Sequence, residues 1–396
     1  MHLDLADAAF NRDPYPALEA LRAEGRAVRD DVTGAWLVTG YEDCTRVLGN
    51  VDTFTSEMPE GSGPGVFGGR VFEVMDSPRH DEIRGVWAAD FQRHNLERHR
   101  AAIERIVDEG LDEFVPRVLD GEAVDAVEHL TRAIPTRVIA RLLAIDEGDQ
   151  RQFSDWSDAM GAVAGALFDP SERGRQILRT GLDATAQLNA YIAAEVDKRR
   201  ASPGDDLISK MVASPVSETM TEAEIVANNT QLVFAGNETT AKWMAHTLVT
   251  LAHHPAQRRT LVDARARIPA ALEEVLRYET VAQVGKRTVR AAGAEVAGVP
   301  VEVGDVVTCL LGAADRDPAR WERAGDFDIG RAAKNHFGFG FGLHYCLGIN
   351  LARLETAIWL DRLLSRMPAW ELAGEIDYGI NFVLRGPVAV PLARAA

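Results

Sequence analysis

Residues 336–348 read HFGFGFGLHYCLG, and Gly338, Gly340, Gly342 and Gly348 crowd around Cys346. Glycine-rich linkers are ordinarily polar and carry serine. This stretch instead interleaves its glycines with Phe337, Phe339, Phe341, Leu343, Tyr345 and Leu347, side chains that a solvated tether would leave in water. It reads as backbone bent tightly around something. Cys346 closes the bend and opens an apparent helix, LGINLARLETAIWL (347–360). A thiolate there is stabilised by the first N–H groups and the dipole of the helix. Screened by aromatic rings, such a thiolate has the character of a nucleophile or a metal ligand. A cysteine hydrolase needs an imidazole base oriented by a carboxylate or amide. His344 is near in sequence, but no oriented triad can be read out.

Around this loop most of the chain is helical in pattern. Segments 96–118, 122–143, 148–166, 173–200 and 347–366 are rich in Ala, Leu, Arg and Glu, with apolar residues at helical spacing. At 221–224, Thr-Glu-Ala-Glu is a capping box with Thr221 as N-cap and Glu224 three residues on. The pattern behind it runs to about His253, before Pro255, and predicts a helix about 48 Å long. Strand signals are short: 27–40, 295–309 and 379–392. The expected fold class is mainly α, with small peripheral sheets. Inside the long helix, AGNETT (235–240) sets Gly236, Asn237 and two threonines between apolar neighbours. Glycine in a helix interior costs about 1 kcal/mol relative to alanine. A polar, helix-weakening patch in a buried-looking helix is the kind of local conflict found at functional sites.

The whole chain limits the possible functions. It has 396 residues, 46% of them hydrophobic, and no Pro/Gly/Ser-rich linker, so one domain spanning 1–396 is the simpler organisation. A net charge of -17 disfavours nucleic acid as a general partner. The N-terminus lacks a basic region followed by an apolar core, and no window approaches a membrane span, so a cytoplasmic protein without a membrane partner is expected. Cys44, Cys309 and Cys346 are too few and too scattered for a disulfide framework or a structural zinc site. Cys44 and Cys309 read as small buried hydrophobes.

FGFGLHYCLG (339–348) resembles the haem-ligand signature of cytochrome P450, Phe-x-x-Gly-x-His/Arg-x-Cys-x-Gly, at every specified position. Three further patterns follow the family's order: MDSPRHDEIR (75–84), AGNETT, and Glu274-Val-Leu-Arg277. The resemblance implies the P450 fold around a buried haem b (iron protoporphyrin IX), with Cys346 as axial ligand and Phe339 and Gly348 shaping the loop. It implies that His80, Arg84 and His344 hold the haem propionates, with Arg287 as a fourth donor. Gly236 would border the cofactor, and Glu238 and Thr239 would be catalytic, supplying protons during O2 activation. Glu274 and Arg277, locked by Arg331, would be scaffold. Asp315 stands where the family usually has Asn.

The activity implied is a haem-thiolate monooxygenase that hydroxylates a small to medium, mainly apolar organic substrate. Its pocket would be lined by Phe72, Val74, Phe168, Val233, Phe234, Val281, Val284, Val383 and Leu384, under a mobile lid at SGPGVFGG (62–69). Lys286 is a further cation, more in keeping with solvent or a propionate than with a substrate carboxylate. No G-x-G-x-x-G follows a strand, so no reductase is fused. Electrons would come from ferredoxin and ferredoxin reductase, with NAD(P)H entering only indirectly. Basic islands at 91–105 and around Lys334 and Arg353 offer docking points on an otherwise acidic chain. A peroxide-driven peroxygenase or oxidase shares the ligand but does not require Glu238 and Thr239. A non-catalytic haem-based sensor would bind haem and gases and consume no reductant.

Overall fold

The computed structural model describes residues 3–57, 65–167, 169 and 171–395. Its axis is the helix Glu222–His253, which starts at the expected capping box. The Glu224 N–H donates to Thr221 Oγ1 at 3.2 Å, and Glu224 Oε2 accepts from the Thr221 N–H at 2.9 Å. The helix is buried on nearly all sides from Ile225 to Leu251, as a core helix is. Helices Ala133–Leu142, Gln150–Ala166 and Glu172–Ala201 pack on it, and the cysteine helix Ile349–Arg366 lies against helix Arg100–Leu119.

The expected weakening at Gly236 is corrected, because the helix continues unbroken through AGNETT. A Cβ at Gly236 would lie 2.8 Å from Ile139 Cγ1, so this glycine lets helix Ala133–Leu142 approach closely. The expected helix over 122–143 is also corrected. Val124–Asp125 is a strand paired with the C-terminal strand Pro391–Arg394, and a π-helical turn Val127–Thr131 precedes helix Ala133–Leu142. The Asp125 carboxylate accepts from the N–H groups of Val127 and Val390, both at 2.9 Å, which fixes that crossing.

One sheet places the strands in the order Ala27–Arg29, Trp36–Val38, Val306–Leu310, Val284–Val289 and Phe54–Thr55. Trp36–Val38 runs parallel to Val306–Leu310, and the other pairs are antiparallel. The sequence signal over 295–309 divides here. Glu295–Val296 and Val299–Pro300 form a tight hairpin whose turn residues Ala297 and Gly298 have φ of 55° and 83°. Of the signal over 379–392, only its end joins a ladder, in the strand Pro391–Arg394. The largest core fills the space between the helices and contains Trp87, Trp243, Trp359 and Trp370, all buried. Trp243 connects this core to the cysteine loop, meeting the Phe339 ring edge-on with centroids 5.6 Å apart.

Candidate active site

The cysteine loop is two short 3-10 turns, Phe337–Phe339 and Gly342–His344, each ended by or starting from a glycine in the left-handed region. Gly340 and Gly342 both have φ of +71°, where a side chain is strained. At Gly342 a Cβ would also come 2.7 Å from the Leu48 carbonyl oxygen, so the loop touches the neighbouring backbone only because that Cβ is missing. The Cys346 N–H donates to the Phe339 carbonyl at 2.9 Å, which closes the bend. Burial pushes the Cys346 thiol up, while the Gly348 N–H and the cations of Arg84 and Arg353 favour the thiolate. No side chain or backbone lies near the Cβ position of Gly348.

Donors gather at one edge of this loop. His80 is buried and shares a contact of 2.8 Å between Nδ1 and the Asp81 carboxylate, while its Nε2 has no partner among the described residues. The His344 ring lies 4.7 Å from that of His80, and both its nitrogens are buried without partners among the described residues. Burial, then Arg287 and His80, push His344 down to about 3. Arg84 donates to the Tyr345 carbonyl at 2.6 Å, and Arg287 is buried on the strand Val284–Val289. Orphaned ring nitrogens beside two guanidinium groups make a buried cationic cluster that calls for anions. The two propionate carboxylates of a haem would fit this donor set.

The central helix faces this loop with Ala235 exposed and Thr239 half-buried in an otherwise buried run. The Thr239 hydroxyl donates to the Ala235 carbonyl at 3.0 Å. Glu238 points elsewhere. Its carboxylate is buried against Gly161, where a Cβ would come 2.9 Å from it, and pairs with Lys242 Nζ at 2.6 Å. Lys242 Nζ also donates to the Leu384 carbonyl at 2.6 Å. The sequence reading missed Lys242, although its i,i+4 spacing from Glu238 was the available signal.

Glu274, Arg277 and Arg331 come together beneath the loop. Arg277 donates twice to the Glu274 carboxylate, at 2.7 and 2.8 Å, and Arg331 Nε donates to the same group at 3.1 Å. Asp315 connects this frame to the cysteine loop. Its carbonyl accepts from Arg277 at 2.8 Å, and its carboxylate accepts from the Phe337 N–H at 2.8 Å and the Thr280 hydroxyl at 3.0 Å.

Burial pushes the Asp315 carboxyl up to about 6 from an ordinary 3.8. The folded state therefore holds its proton more tightly than the unfolded chain. That stabilisation is complete below the unfolded value and is lost as pH rises through about 6. An ionised Asp315 then costs the fold up to about 3 kcal/mol. Asparagine can accept from Phe337 and donate to Thr280 without ionising. Asp315→Asn should raise stability by up to about 3 kcal/mol at pH 8 and change it little at pH 4. Denaturant unfolding at the two pH values checks this, and a difference independent of pH would refute it.

Of the expected pocket residues, Val74, Phe234, Val284, Val383 and Leu384 are half-buried, and Phe234 meets Phe67 at 5.7 Å. Val233 and Val281 are fully packed. Phe72 is buried in the core, with its ring 5.9 Å from His80 and 6.2 Å from Trp87. Phe168 and residues 62–64 of the expected lid lie outside the described residues. Lys286 is exposed. Two polar residues that the sequence reading passed over, Glu73 and Gln231, meet at 2.6 Å beside the apolar set.

Among the described residues no helix is long and apolar enough to cross a membrane. Residues 32–369 match the family model described as Cytochrome P450. The chain is 32% identical to Cytochrome P450 monooxygenase PikC of Streptomyces venezuelae, over 97% of this chain and 91% of that one. It is also 32% identical to the Mycinamicin IV hydroxylase/epoxidase of Micromonospora griseorubida, over 90% of this chain and 89% of that one. Among solved structures it is similar to CYP109E1 from Bacillus megaterium in complex with testosterone, with a TM-score of 0.88 at 29% identity, covering 98% of this chain and 100% of that one. Fold, cysteine loop and relatives agree over most of the sequence, and the chain belongs to the cytochrome P450 family as a monooxygenase acting on an organic substrate.

Proposed function

We propose that the protein is a single haem domain over 1–396 that holds haem b through Cys346 and hydroxylates a small to medium organic molecule, with electrons from a ferredoxin and its reductase that draw on NAD(P)H. The observation that carries this reading is the thiol at the mouth of a glycine-bent loop, directly before the cysteine helix and beside unpaired histidine nitrogens. A haem held by this thiolate would supply the reductive activation of O2. Arg84 and Arg287 would neutralise the propionates, and His80 and His344 would donate hydrogen bonds to them. The Gly348 N–H beside the sulfur would moderate how strongly it donates.

Thr239 and Glu238 serve the proton side of the reaction. The Thr239 hydroxyl already accepts the helical conformation by bonding back to Ala235, so its oxygen lone pairs are free to hold a water on the exposed face. Glu238 is turned toward Gly161 and held by Lys242 one turn further on, so it passes protons toward that water only when this ion pair opens. For the electron donor, two of the four arginines of the 91–105 island are already engaged, Arg98 with Asp90 and Asp205 and Arg100 with Glu97. Lys334 remains exposed near the cysteine loop. That face is the one a donor would meet, and a cytoplasmic location follows from the same reading.

Thr239→Ala tests the assignment with the haem in place. The variant should retain its haem spectrum while product formed per reduced nicotinamide falls roughly tenfold, the missing equivalents appearing as hydrogen peroxide. Unchanged coupling would remove Thr239 from the proton path. Full-rate turnover of the parent protein on peroxide alone would replace the monooxygenase reading with a peroxygenase.

A further inference from the structure

Residues 381–386 bridge the central helix and helix Gln150–Ala166. Asn381 is buried; its Nδ2 donates to the Gly161 carbonyl at 2.8 Å, and its Oδ1 accepts from the Leu384 N–H at 3.1 Å. Gly161 is the residue against which the Glu238 carboxylate packs. The Leu384 carbonyl accepts from Lys242 Nζ at 2.6 Å, and the same ammonium stands 2.6 Å from Glu238 Oε1. Gly386 packs on the lysine stem, where a Cβ would come 2.5 Å from Lys242 Cβ. One turn further along the central helix, His246 Nε2 meets the Arg385 carbonyl at 3.2 Å. A single segment therefore holds both the cation that engages Glu238 and the backbone on which Glu238 rests.

The same segment carries two of the expected pocket residues. The Gln283 N–H donates to the Val383 carbonyl at 3.0 Å, and the Arg385 N–H to the Val281 carbonyl at 2.8 Å, so the segment runs beside the residues that lead into the strand Val284–Val289. Between these ties Val383 and Leu384 are only half-buried, while Phe382 and Arg385 on either side are buried. Lys242 is 6% exposed, and its ammonium has three N–H groups to satisfy. Should the Leu384 carbonyl withdraw, Glu238 is the one acceptor left to it among the described residues. A buried ammonium so placed is poorly solvated, and its flexible stem lets it turn outward to water. Glu238 is then released from its cation.

We propose that Lys242 is a positioning residue that links occupancy of the pocket to proton supply. A molecule that pushes Leu384 aside draws its carbonyl away from Lys242, opens the pair with Glu238 and lets that carboxylate turn from Gly161 toward the water on Thr239. The inference rests on the reading of Glu238 and Thr239 as the proton side of the reaction. With the pocket empty the pair stays closed, and reductant is not spent on hydrogen peroxide. No movement of the central helix is required, because Glu238 and Thr239 are consecutive and only side chains turn.

The chain has five lysines, and Lys242 is the only buried one, so its ammonium can be followed by itself. Haem-loaded protein labelled with nitrogen-15 at lysine Nζ, held as its reduced carbon monoxide complex, should show one ammonium signal with slow hydrogen exchange. Asn381→Ala unties the wall and leaves Lys242 and Glu238 unaltered; it should speed that exchange roughly tenfold. With ferredoxin, its reductase and no added substrate, reduced nicotinamide consumed per haem should rise roughly threefold in Asn381→Ala and in Lys242→Met. Adding Glu238→Gln to either variant should return consumption to the parent rate. Exchange that is unchanged in Asn381→Ala would overturn the link between wall and lysine. Consumption at the parent rate in Lys242→Met would overturn the inference even where Asn381→Ala does not fold. A rise that survives Glu238→Gln would instead overturn the reading of Glu238 on which the inference rests, and the inference with it.

Discussion

Cys346→His should lose the strongly red-shifted Soret band of dithionite-reduced, carbon monoxide-treated protein, and monooxygenase turnover should fall to below roughly one-hundredth of the parent value. The expectation follows from where the sulfur sits. The glycines at φ of +71° bring the loop backbone close around it, and the Cys346 N–H is already spent on the Phe339 carbonyl at 2.9 Å. An imidazole extends further from the backbone than a thiol and cannot take the same place without displacing that bend. It also lacks the negative charge with which a thiolate ligand would favour O–O cleavage at a haem. The other two cysteines provide the control. Cys44 and Cys309 are both buried within the sheet-side core, and Cys44 donates to the Val38 carbonyl at 3.5 Å. Cys44→Ser and Cys309→Ser should leave the band in place. A red-shifted band persisting in Cys346→His would move the ligand elsewhere and undo the mechanism.

Legibility in the sequence depended on how local each feature is. The capping box at Thr221 and the 32-residue helix behind it are set by neighbours within a few positions, and the structure reproduces them. The Cys346 loop is equally local, since its bends are made by Gly340 and Gly342 in the quoted stretch. The Val124–Asp125 strand was read as helix because its partner, Pro391–Arg394, lies at the other end of the chain and no local pattern announces that pairing. Gly236 was read as weakening the helix, yet its close packing is set by Ile139 on another helix. The same limit hid the contact of Glu73 with Gln231, 158 positions away. The ion pair of Glu238 with Lys242 was local and could have been read from spacing. Its burial, which makes it more than an ordinary helix-surface pair, could not.

Arg277→Met is the second large effect, and it is one of stability. Arg277 is fully buried and donates to the Glu274 carboxylate at 2.7 and 2.8 Å, and to the carbonyls of Asp315 at 2.8 Å, Ala324 at 2.9 Å and Asp326 at 3.1 Å. Among the described residues, the variant leaves Glu274 with Arg331 as its only cation at this frame and strands the carbonyls of the buried residues Asp315 and Ala324. Breaking a buried pair from one side costs about 3–5 kcal/mol, a large part of the roughly 5–15 kcal/mol that holds a domain together. Lysine should not rescue the variant, because one ammonium cannot reproduce a fork that spans a carboxylate and three carbonyls. The exposed pair Glu42–Arg46, at 3.4 Å and also on one helix, sets the scale, and Arg46→Ala should change stability by less than about 1 kcal/mol. Because Asp315 passes the position of Arg277 on to Phe337, the damage should reach the cysteine loop before the whole chain unfolds. Haem content measured at increasing denaturant should therefore drop ahead of the loss of helical circular dichroism. Coincident loss of both would mean that the frame supports the whole fold rather than the loop, and a variant within about 1 kcal/mol of the parent would mean that it supports neither.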